Sequence, residues 1–396
     1  MTAFGIDNLL RDRNRLAYLA DKKVGLVAHP ASITASHQHT IDALVAAGVP
    51  VCRAFGPQHG MRGDKQDNMI ESPDYVDPRH DLPVFSLYGE HRAPTDEMLA
   101  GLDVILFDLQ DVGCRIYTYI TTMRYFMAAC EKNGVAFWVL DRPNPSGRSI
   151  DGLYLTPGEE SFVGCAAMPT RHGLTVGELA NWFGTDFPAL SLTVIPVSDY
   201  RVEDGWPTGI RPWVNPSPNA ASVNMTRCFP GTVLLEGTTL SEGRGTTVPL
   251  EVIGAPDLDF EALLTELARR APALVAAAFI RPCWFEPTFH KHVGSLCSGL
   301  QFHTDVHDFD EADFKPYRLI AFLLKLVREQ SPDYDLWRHH DYEYELDRIP
   351  IDVINGGPAL RTWVDDASVG FEELSQQLDA DETRWQIERE PFLIYR

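Results

Sequence analysis

The sequence predicts an α/β protein with a mostly parallel, doubly wound sheet in its first half and a smaller α+β domain in its second. Short apolar runs alternate with helical segments along the first half of the 396 residues, which is the pattern of such a sheet. The runs are continuously apolar and lack polar alternation, as expected of strands buried on both faces. The pattern of apolar runs and helical segments changes near Asn215, so we expect one domain over residues 1–215 and the other over residues 216–396.

The predicted elements of the first half follow from these runs and from helix-ending signals. The strands are Val24–Ala28, Val49–Phe55, Val84–Leu87, Val104–Phe107, Phe137–Leu140 and Leu192–Pro196. The helices between them are His37–Ala47, Thr95–Ala100, Thr118–Asn133 and Thr175–Gly184. The third helix is followed by Gly134, as is typical of a helix C-cap. Gly56–Leu82 is too long for an ordinary connection, and such segments are commonly functional.

The second half begins with a turn-rich stretch, residues 213–225, that predicts a crossover. An amphipathic helix over Phe260–Arg270 is followed by a strand over Ala277–Arg281 and a helix around Tyr317–Glu329. The chain then ends in an acidic, aromatic tail. These elements predict the smaller α+β domain.

Composition excludes several classes of partner. A net charge of −22 argues against nucleic acid and anionic membranes. The longest apolar runs are far shorter than the ~20 residues that span a bilayer, and residues 1–23 contain no apolar core of a signal peptide. The seven cysteines form no CxxC pair, which favours free buried thiols in a reducing compartment. We therefore expect a cytoplasmic protein, or a periplasmic or secreted one if a leader has been removed.

Polar side chains follow five of the predicted strands. They are His29 after the first, Gln58 and His59 after the second, Tyr88 and Glu90 after the third, Asp108, Gln110 and Asp111 after the fourth, and Asp141, Arg142 and Asn144 after the fifth. Ligands of open parallel sheets bind at the carboxyl ends of the strands, so these loops are predicted to converge on one crevice. Alone, Asp108 or Asp141 would be read as a cap of a helix or turn. Five strands ending this way favour a site.

Two glycine-containing clusters stand out. The segment from Asp108 to Tyr119 carries Arg115, Tyr117 and Tyr119, and its arginine can orient a substrate carboxylate or pin the loop through an internal aspartate. Both readings stay open. Ser241–Thr246 places Glu242 and Arg244 on a tight loop, but it lacks the spacing of a phosphate loop. No GxGxxG follows the first strand, so a nicotinamide cofactor is not indicated.

His172 lies just before a predicted capping box of Thr175 and Glu178, which makes Glu178 a structural residue. The sequence contains no HExxH motif and no other metal-ligand spacing. We expect neither a metal nor a cofactor.

Carboxyls and tyrosines on the predicted rim are suited to glycoside hydrolysis. That reaction needs one acid for the leaving oxygen and a second group that activates water, acts as nucleophile or assists a substrate acetamide. The available carboxyls are Glu90, Asp108, Asp111, Asp141, Glu236 and Glu242, and Tyr88, Tyr117 and Tyr119 can stack on a sugar or position water. The sequence leaves open which two groups face each other. The absence of GxSxG disfavours a serine esterase.

Ordered motifs along almost the whole chain resemble those of the NamZ-type exo-β-N-acetylmuramidases, formerly a domain of unknown function. They are Val24–Pro30, Phe55–Gly63, Ser86–Gly89, Asp108–Gly113, Arg115–Tyr119, Asp141–Pro145, His172–Glu178, Ser217–Asn219 and Ser241–Thr246. The resemblance implies a Rossmann-like domain and a smaller C-terminal domain that closes an active cleft between them. It also implies release of N-acetylmuramic acid from the non-reducing end of peptidoglycan fragments, in cell-wall turnover or recycling.

One position departs from the family pattern. The resemblance implies a glutamate, the catalytic acid, where this chain has Gln58. An amide cannot act as a general acid or base, although it can hydrogen-bond the glycosidic oxygen. Either the position has been engineered, or the chain is a natural member with altered activity that binds the sugar without cleaving it, or another carboxyl supplies the proton. Glu90 and Glu242 come first for that role.

The resemblance and the strand-end rule together define the predicted site. The catalytic group is Gln58, Tyr88, Glu90 and Glu242. The substrate-binding group is His59, Arg62, Asp108, Gln110, Asp111, Arg115, Tyr117, Tyr119, Asp141, Arg142, Asn144, His172, Asn219 and Arg244. Arg62 or Arg115 is expected to bind the lactyl carboxylate that distinguishes muramic acid from glucosamine. The expected partners are muropeptides or glycan fragments.

Overall fold

The computed structural model describes residues 2–64, 69–202, 205–207 and 211–395. The first half contains α1 (Gly5–Arg11), α2 (Arg13–Ala20), β1 (Val24–Ala28), α3 (Thr40–Ala46), β2 (Val51–Gly56), β3 (Tyr75–Asp77), β4 (Leu82–Ser86), α4 (Asp96–Leu99), β5 (Val104–Asp108), α5 (Tyr119–Asn133), β6 (Ala136–Leu140), β7 (Asp151–Tyr154), β8 (Pro169–Arg171), α6 (Val176–Phe183) and β9 (Leu192–Ile195).

Seven of these strands form one sheet in the order β3-β4-β2-β1-β5-β6-β9. All neighbours are parallel except β3, which pairs antiparallel with β4. Successive side chains point to opposite faces: Val27 belongs to one apolar cluster, and Leu26 and Ala28 belong to the other. The predicted mostly parallel sheet, buried on both faces, is confirmed.

Helices cover each face of the sheet because each carries one apolar stripe. On one face, α5 and α6 contribute Phe126 and Leu179 to the first cluster. On the other face, α1 and α3 contribute Ile6 and Leu44 to the second cluster. Helix α6 begins at the predicted capping box, where Thr175 Oγ1 accepts from the Glu178 N–H and the Glu178 carboxylate accepts from the Thr175 N–H.

The second half is an α+β unit, as predicted. Its elements are α7 (Val223–Thr232), β10 (Val252–Ala255), α8 (Phe260–Arg270), α9 (Pro272–Ala276), β11 (Phe279–Phe285), β12 (Cys297–His303), α10 (Pro316–Gln330), α11 (Pro350–Asn355), α12 (Ala359–Asp365) and α13 (Phe371–Arg389). The three strands form an antiparallel sheet in the order β10-β12-β11. A domain boundary at residue 215 stays a prediction.

The C-terminal tail is more ordered than its composition indicates. It forms α11, α12 and α13, and the last of these is polar around most of its surface. Its buried residues include Leu374, Leu378 and Trp385, a stripe too narrow to stand out in an acidic sequence. The Trp385 indole donates to the carbonyl of His172 at 2.7 Å, so the end of the chain packs back on the first half.

Three further features concern compartment and cofactors. No helix of the described ranges is both long and apolar enough to cross a bilayer. Within the same ranges, no three His, Cys, Asp or Glu side chains gather where they could hold a metal ion. All seven cysteines are free, and Cys52 is exposed while the others are buried.

Candidate active site

A pocket lies beyond the carboxyl end of β2, between the two halves of the chain, and it encloses about 470 Å³ including its open mouth. Both halves and the crossover between them supply its polar wall. The polar residues of that wall are Gln58, His59, Tyr117, Thr118, Ser217, Asn219, Glu236, Arg244, Tyr342 and Glu343. Apolar side chains such as Val163 and Phe229 complete the lining.

The backbone after β2 turns sharply to present Gln58. A Cβ on Gly56 would lie 2.5 Å from the backbone nitrogen of Met61, because the chain folds back directly over this position. His59 and Gly60 then adopt left-handed conformations with φ of +68° and +74°. A left-handed histidine is uncommon, and such conformations cluster at functional sites.

Glu343 is the carboxyl that faces Gln58 and Tyr88. The Gln58 Nε2 donates to Glu343 Oε1 at 2.9 Å, and the Tyr88 hydroxyl donates to Glu343 Oε2 at 2.9 Å. The Thr118 hydroxyl donates to Gln58 Oε1 at 2.8 Å, which fixes the orientation of the amide. Two segments of the first half therefore hydrogen-bond one carboxyl of the second, and a third segment orients the amide.

A strained turn holds Glu343 in place. Tyr342 and Glu345 exchange both backbone hydrogen bonds, at 3.2 and 2.9 Å, so Glu343 and Tyr344 form a two-residue loop. Their φ angles are +47° and +71°, as in type I′ turns, where Asn-Gly is the preferred pair. Two non-glycine residues in this conformation cost of the order of 1–3 kcal/mol each. The fold sustains that cost at the pocket wall.

Burial raises the pKa of Glu343 from its usual 4.5 to about 7. The hydrogen bonds from Tyr88 and Gln58 act in the opposite direction, the nearby Glu236 raises the pKa further, and Arg244 lowers it. Burial and the Glu343 charge also raise the pKa of Tyr88, so its hydroxyl remains a proton-bearing donor. The pocket thus contains a carboxyl that exchanges its proton near neutral pH.

Glu242 behaves differently from Glu343, although it is fully buried. Burial alone would raise its pKa, but Lys291 and Arg244 lower it to about 2. Lys291 Nζ lies 2.7 Å from Glu242 Oε2, and Arg244 Nε lies 3.2 Å from Glu242 Oε1. A carboxyl held ionised in this way is poorly suited to donate a proton near neutral pH, and its role as the acid stays a prediction.

Arg244 lines the pocket and is almost fully buried. Its Nη2 donates to Glu236 Oε1 at 2.7 Å, while its Nη1 has no hydrogen-bond partner among the described residues. The Tyr342 hydroxyl donates to Glu236 Oε2 at 2.7 Å, which links this ion pair to the turn that carries Glu343. The pocket therefore contains a guanidinium of fixed orientation whose Nη1 can donate to a ligand.

The topological switch point of the sheet, between β1 and β5, is filled. His29 ends β1, and its Nε2 accepts from the Gln110 N–H at 2.9 Å, because burial and the Arg142 charge keep this histidine neutral with a pKa of about 3. Arg142 Nε binds the Asp108 carboxylate at 2.6 Å, with both groups buried. Helix α1 lies across the same edge, where the Gly5 N–H donates to the Asp141 carbonyl at 2.8 Å.

The other strand-end residues are bound in the same interior network. Asp141 accepts from the Gly177 N–H at 2.8 Å, from Thr175 at 2.9 Å and from the Tyr395 hydroxyl at 2.6 Å. The predicted site residues that the structure buries in this way, outside the pocket lining, are Asp108, Gln110, Asp111, Asp141, Arg142, Asn144 and His172. The expectation of a single crevice for all five loops is therefore wrong, because α1 and the C-terminal residues occupy part of that edge.

Arg62 and Arg115 also lie outside the pocket lining. Arg115 is fully buried, and its Nη2 donates to the carbonyl of Asn355 at 2.8 Å. Arg62 is exposed and stacks 4.2 Å from the ring centre of Tyr75. Neither guanidinium is placed to meet a ligand in this pocket.

Of the remaining predicted residues, Tyr117 lies in the pocket wall, Tyr119 lies behind it and Glu90 lies outside the pocket. The Tyr117 hydroxyl donates to Ser217 Oγ at 2.9 Å in the pocket wall. Tyr119 is buried behind it, with its hydroxyl on the carbonyl of Pro216 at 2.6 Å. The Glu90 side chain is 89% exposed and lines a separate surface depression, so it is not the acid of this pocket.

The structure adds two residues that sequence reasoning missed, Glu343 and Thr118. Glu343 lies 285 positions from Gln58 along the chain and in a segment interpreted only as an acidic, aromatic tail. Five acidic and aromatic residues in a row, from Asp341 to Glu345, were the signal available. Nothing in that run indicates that Tyr342 and Glu343 turn inward while Asp341 and Tyr344 are exposed.

Two family models match this chain, and they cover its two halves. The N-terminal domain of the exo-β-N-acetylmuramidase NamZ matches residues 24–224, and the C-terminal domain matches residues 227–395. The peptidoglycan β-N-acetylmuramidase NamZ of Bacillus subtilis (strain 168) is 37% identical over 395 residues, which cover 99% of this chain and 91% of that protein.

Solved structures give the same relationship. A DUF1343 family protein of Bacteroides fragilis superposes with a TM-score of 0.87 at 28% identity, over 100% of this chain and 99% of that one. A second DUF1343 protein of the same organism shares the fold, with a TM-score of 0.76 at 24% identity over the same fractions of the two chains. The chain described here belongs to the NamZ exo-β-N-acetylmuramidase family.

Proposed function

We propose that this chain is an exo-acting glycoside hydrolase that releases N-acetylmuramic acid from the non-reducing end of peptidoglycan fragments, in cell-wall turnover or recycling. The observation that carries the proposal is the polar pocket between the halves of a chain that matches this family from end to end.

The pocket also contains the groups that glycoside cleavage needs. A proton must reach the leaving oxygen, and water must supply the hydroxyl that ends on the anomeric carbon. Glu343 is a carboxyl that bears a proton near neutral pH, and the Tyr117 ring forms part of the wall on which a sugar can pack. Gln58 can hydrogen-bond the substrate but cannot transfer a proton.

Arg244 is the group we assign to the lactyl carboxylate of muramic acid. It is a buried cation of the pocket wall, and its Nη1 has no hydrogen-bond partner among the described residues. A carboxylate would satisfy that donor in a charge-assisted bond. The neighbouring Glu236 and Glu242 fix the guanidinium before the ligand arrives.

A pair of chromogenic glycosides tests both assignments. The wild type is expected to release the chromophore from a β-N-acetylmuramide and to leave the matching β-N-acetylglucosaminide nearly untouched. Arg244→Lys keeps the charge but loses the planar fork, so it should reduce the preference for the muramide by about 10-fold or more.

Two results would count against these assignments. Binding of the muramide without release would indicate a sugar-binding protein and would contradict the hydrolase. An unchanged preference in the folded Arg244→Lys variant would remove Arg244 from lactyl recognition.

A further inference from the structure

A carboxyl from the second half of the chain stands directly against Gln58. Glu343 reaches the amide from the opposite domain at 2.9 Å. Because Thr118 engages the amide oxygen, the amide presents its N–H₂ to Glu343. We propose that Glu343 is the general acid of this chain and that it protonates the leaving glycosidic oxygen, with Gln58 and Tyr88 as its positioning residues. The inference rests on the proposed hydrolase function.

Glu343 occupies the boundary between two cavities. It lines the pocket described above, and it also lines an outer depression of about 830 Å³, including its open mouth, that is formed by Arg92, Tyr125 and Tyr344 among others. With the terminal sugar in the inner pocket and the leaving sugar in the outer depression, the scissile bond would lie at that boundary. The acid of a glycosidase has to be at this point.

The pairing explains why an amide is tolerated at position 58. Two carboxyls at hydrogen-bond distance cannot both ionise, so such a pair holds a single proton. With Gln58, the amide provides the N–H and the one titrating carboxyl of the pair is Glu343. The site keeps one donor and one acid, and the acid now belongs to the second domain.

The step balances with water as the only co-reactant. The Glu343 proton moves to the glycosidic oxygen, and the electrons of the bond between that oxygen and the anomeric carbon leave with the oxygen. Water bonds to the anomeric carbon through its oxygen and loses its proton to the solvent, from which Glu343 is reprotonated. The products are N-acetylmuramic acid and the shortened glycan, each with a new hydroxyl.

The charged and titratable groups around Glu343 are consistent with a proton-bearing carboxyl. They are Tyr88 from the first half, Glu236 from the 3₁₀ helix Val233–Gly237, Arg244 from the loop after it, and Tyr342 and Tyr344 from the loop of Glu343 itself. The tyrosines are neutral donors with raised pKa values. Glu236 offsets the effect of Arg244, since the two form an ion pair at 2.7 Å. Burial therefore remains the largest influence on the pKa of Glu343.

Glu343→Gln tests the proposal on two substrates that differ in leaving group. With the disaccharide of N-acetylmuramic acid β-linked to N-acetylglucosamine, the leaving alkoxide needs a proton, and kcat should fall by about 10²–10⁴-fold. With a 2,4-dinitrophenyl muramide, the leaving group departs unprotonated, and the loss should be roughly 10-fold or less. The control is Asp341→Asn, an exposed carboxyl two positions earlier in the same segment, which should match the wild type on both.

The pH profile of the wild type gives an independent readout that needs no variant. A general acid works in its protonated form, so kcat on the disaccharide should fall as the pH rises through about 7. The aryl substrate should not show that fall. A decrease below pH 7 instead would indicate a base or nucleophile and would overturn the assignment.

The outcomes separate the two proposals. If the wild type cleaves the disaccharide and folded Glu343→Gln cleaves it equally well, the acid assignment fails alone. Equal losses on both substrates would indicate a structural role and would also overturn it. If the wild type cleaves neither substrate, the hydrolase proposal fails and the acid assignment fails with it.

Discussion

Two pairs of strands in the sheet, β1–β5 and β2–β4, are followed by polar residues at their carboxyl ends, but the surroundings of those residues differ. At the β1–β5 switch point, Asp108 and Arg142 form a buried ion pair, and the ring of Phe4, the N-cap of α1, lies 5.5 Å from the Arg142 guanidinium. Beyond β2 and β4, Gln58 and Tyr88 meet a single carboxyl from the other domain beside an open pocket. The polar residues after β1 and β5 have hydrogen-bond partners but no adjacent cavity within the described part of the chain, whereas those after β2 and β4 have both. Polarity at a strand end therefore marks a site only where space remains for a ligand.

Left-handed backbone occurs at His37 in the connection that follows β1 and at three residues around the pocket. Left-handed backbone at His59, Glu343 and Tyr344 lies around the pocket, whereas Asp108 ends a regular parallel strand. Conformational strain of this kind persists where surrounding contacts impose it, and it is typical of functional sites. We interpret the polar residues after β1 and β5 as stabilising the fold and those after β2 and β4 as forming the active site.

Breaking the buried pair should give the largest loss of stability. Arg142→Met leaves the buried Asp108 carboxyl without its ion-pair partner, so the free energy of unfolding should fall by about 3–5 kcal/mol. Denaturation in urea measures this change. The fraction that stays folded should retain kcat within about twofold, and a large loss of kcat at unchanged stability would contradict the structural role.

Glu343→Gln should have the opposite sign in stability. In the folded protein the pKa of Glu343 is about 7, against a usual value of 4.5. The favourable contribution of this carboxyl to the free energy of unfolding is therefore fully present below pH 4.5 and is lost as the pH rises through 7. The amide removes this dependence, so the variant should be more stable than the wild type at pH 8, by up to about 3 kcal/mol.

Urea denaturation of both proteins at pH 5 and pH 8 measures the difference. The two stability curves should converge toward pH 5. A variant less stable than the wild type at pH 8 would show that the charged carboxylate is a stabilising group, contrary to this description of the pocket.

Tyr88→Phe should have a smaller effect, and one visible in the pH profile. The Tyr88 hydroxyl favours the charged form of Glu343, so its loss should raise the pKa of that carboxyl. The fall of kcat on the disaccharide should then move to higher pH than in the wild type, with a loss of roughly 10-fold or less at pH 6. A shift to lower pH would show that the hydroxyl does not act on Glu343.

Glu90→Gln should have the smallest effect of the series. Its carboxyl is solvent-exposed at 89% and lies outside the pocket lining. We expect kcat on the disaccharide to change by less than about twofold. A loss comparable to that of Glu343→Gln would restore Glu90 as the acid and would show that the loop after β4 closes over the substrate.

The sequence predicted most of the fold because continuous apolar runs and helix caps are local signals. The strand from Val24 to Ala28 and the helix from Phe260 to Arg270 have the predicted bounds. The acidic tail was misread, since α13 has only a narrow apolar stripe. The many exposed charged residues between its apolar positions obscure the helical periodicity of α13 in the sequence.

The site was predicted in part, and the reason lies in contact range. Gln58 and Arg244 carry recognisable motifs, and the structure places both in the pocket lining. Glu242 and Glu343 are both buried glutamates of the second half, yet Lys291 keeps the first ionised and burial keeps the second protonated to about pH 7. Those opposite states depend on neighbours that are distant in sequence, so no local pattern distinguishes them.

The exchange of the two side chains tests the central claim most directly. Gln58→Glu combined with Glu343→Gln keeps one amide and one carboxyl in the pair but moves the carboxyl to position 58, where the resemblance implies a glutamate. We predict that this double variant cleaves the muramyl disaccharide at least about 10-fold faster than Glu343→Gln alone, with the same fall in rate at alkaline pH. A folded double variant no faster than Glu343→Gln would contradict the claim that the pair supplies the proton.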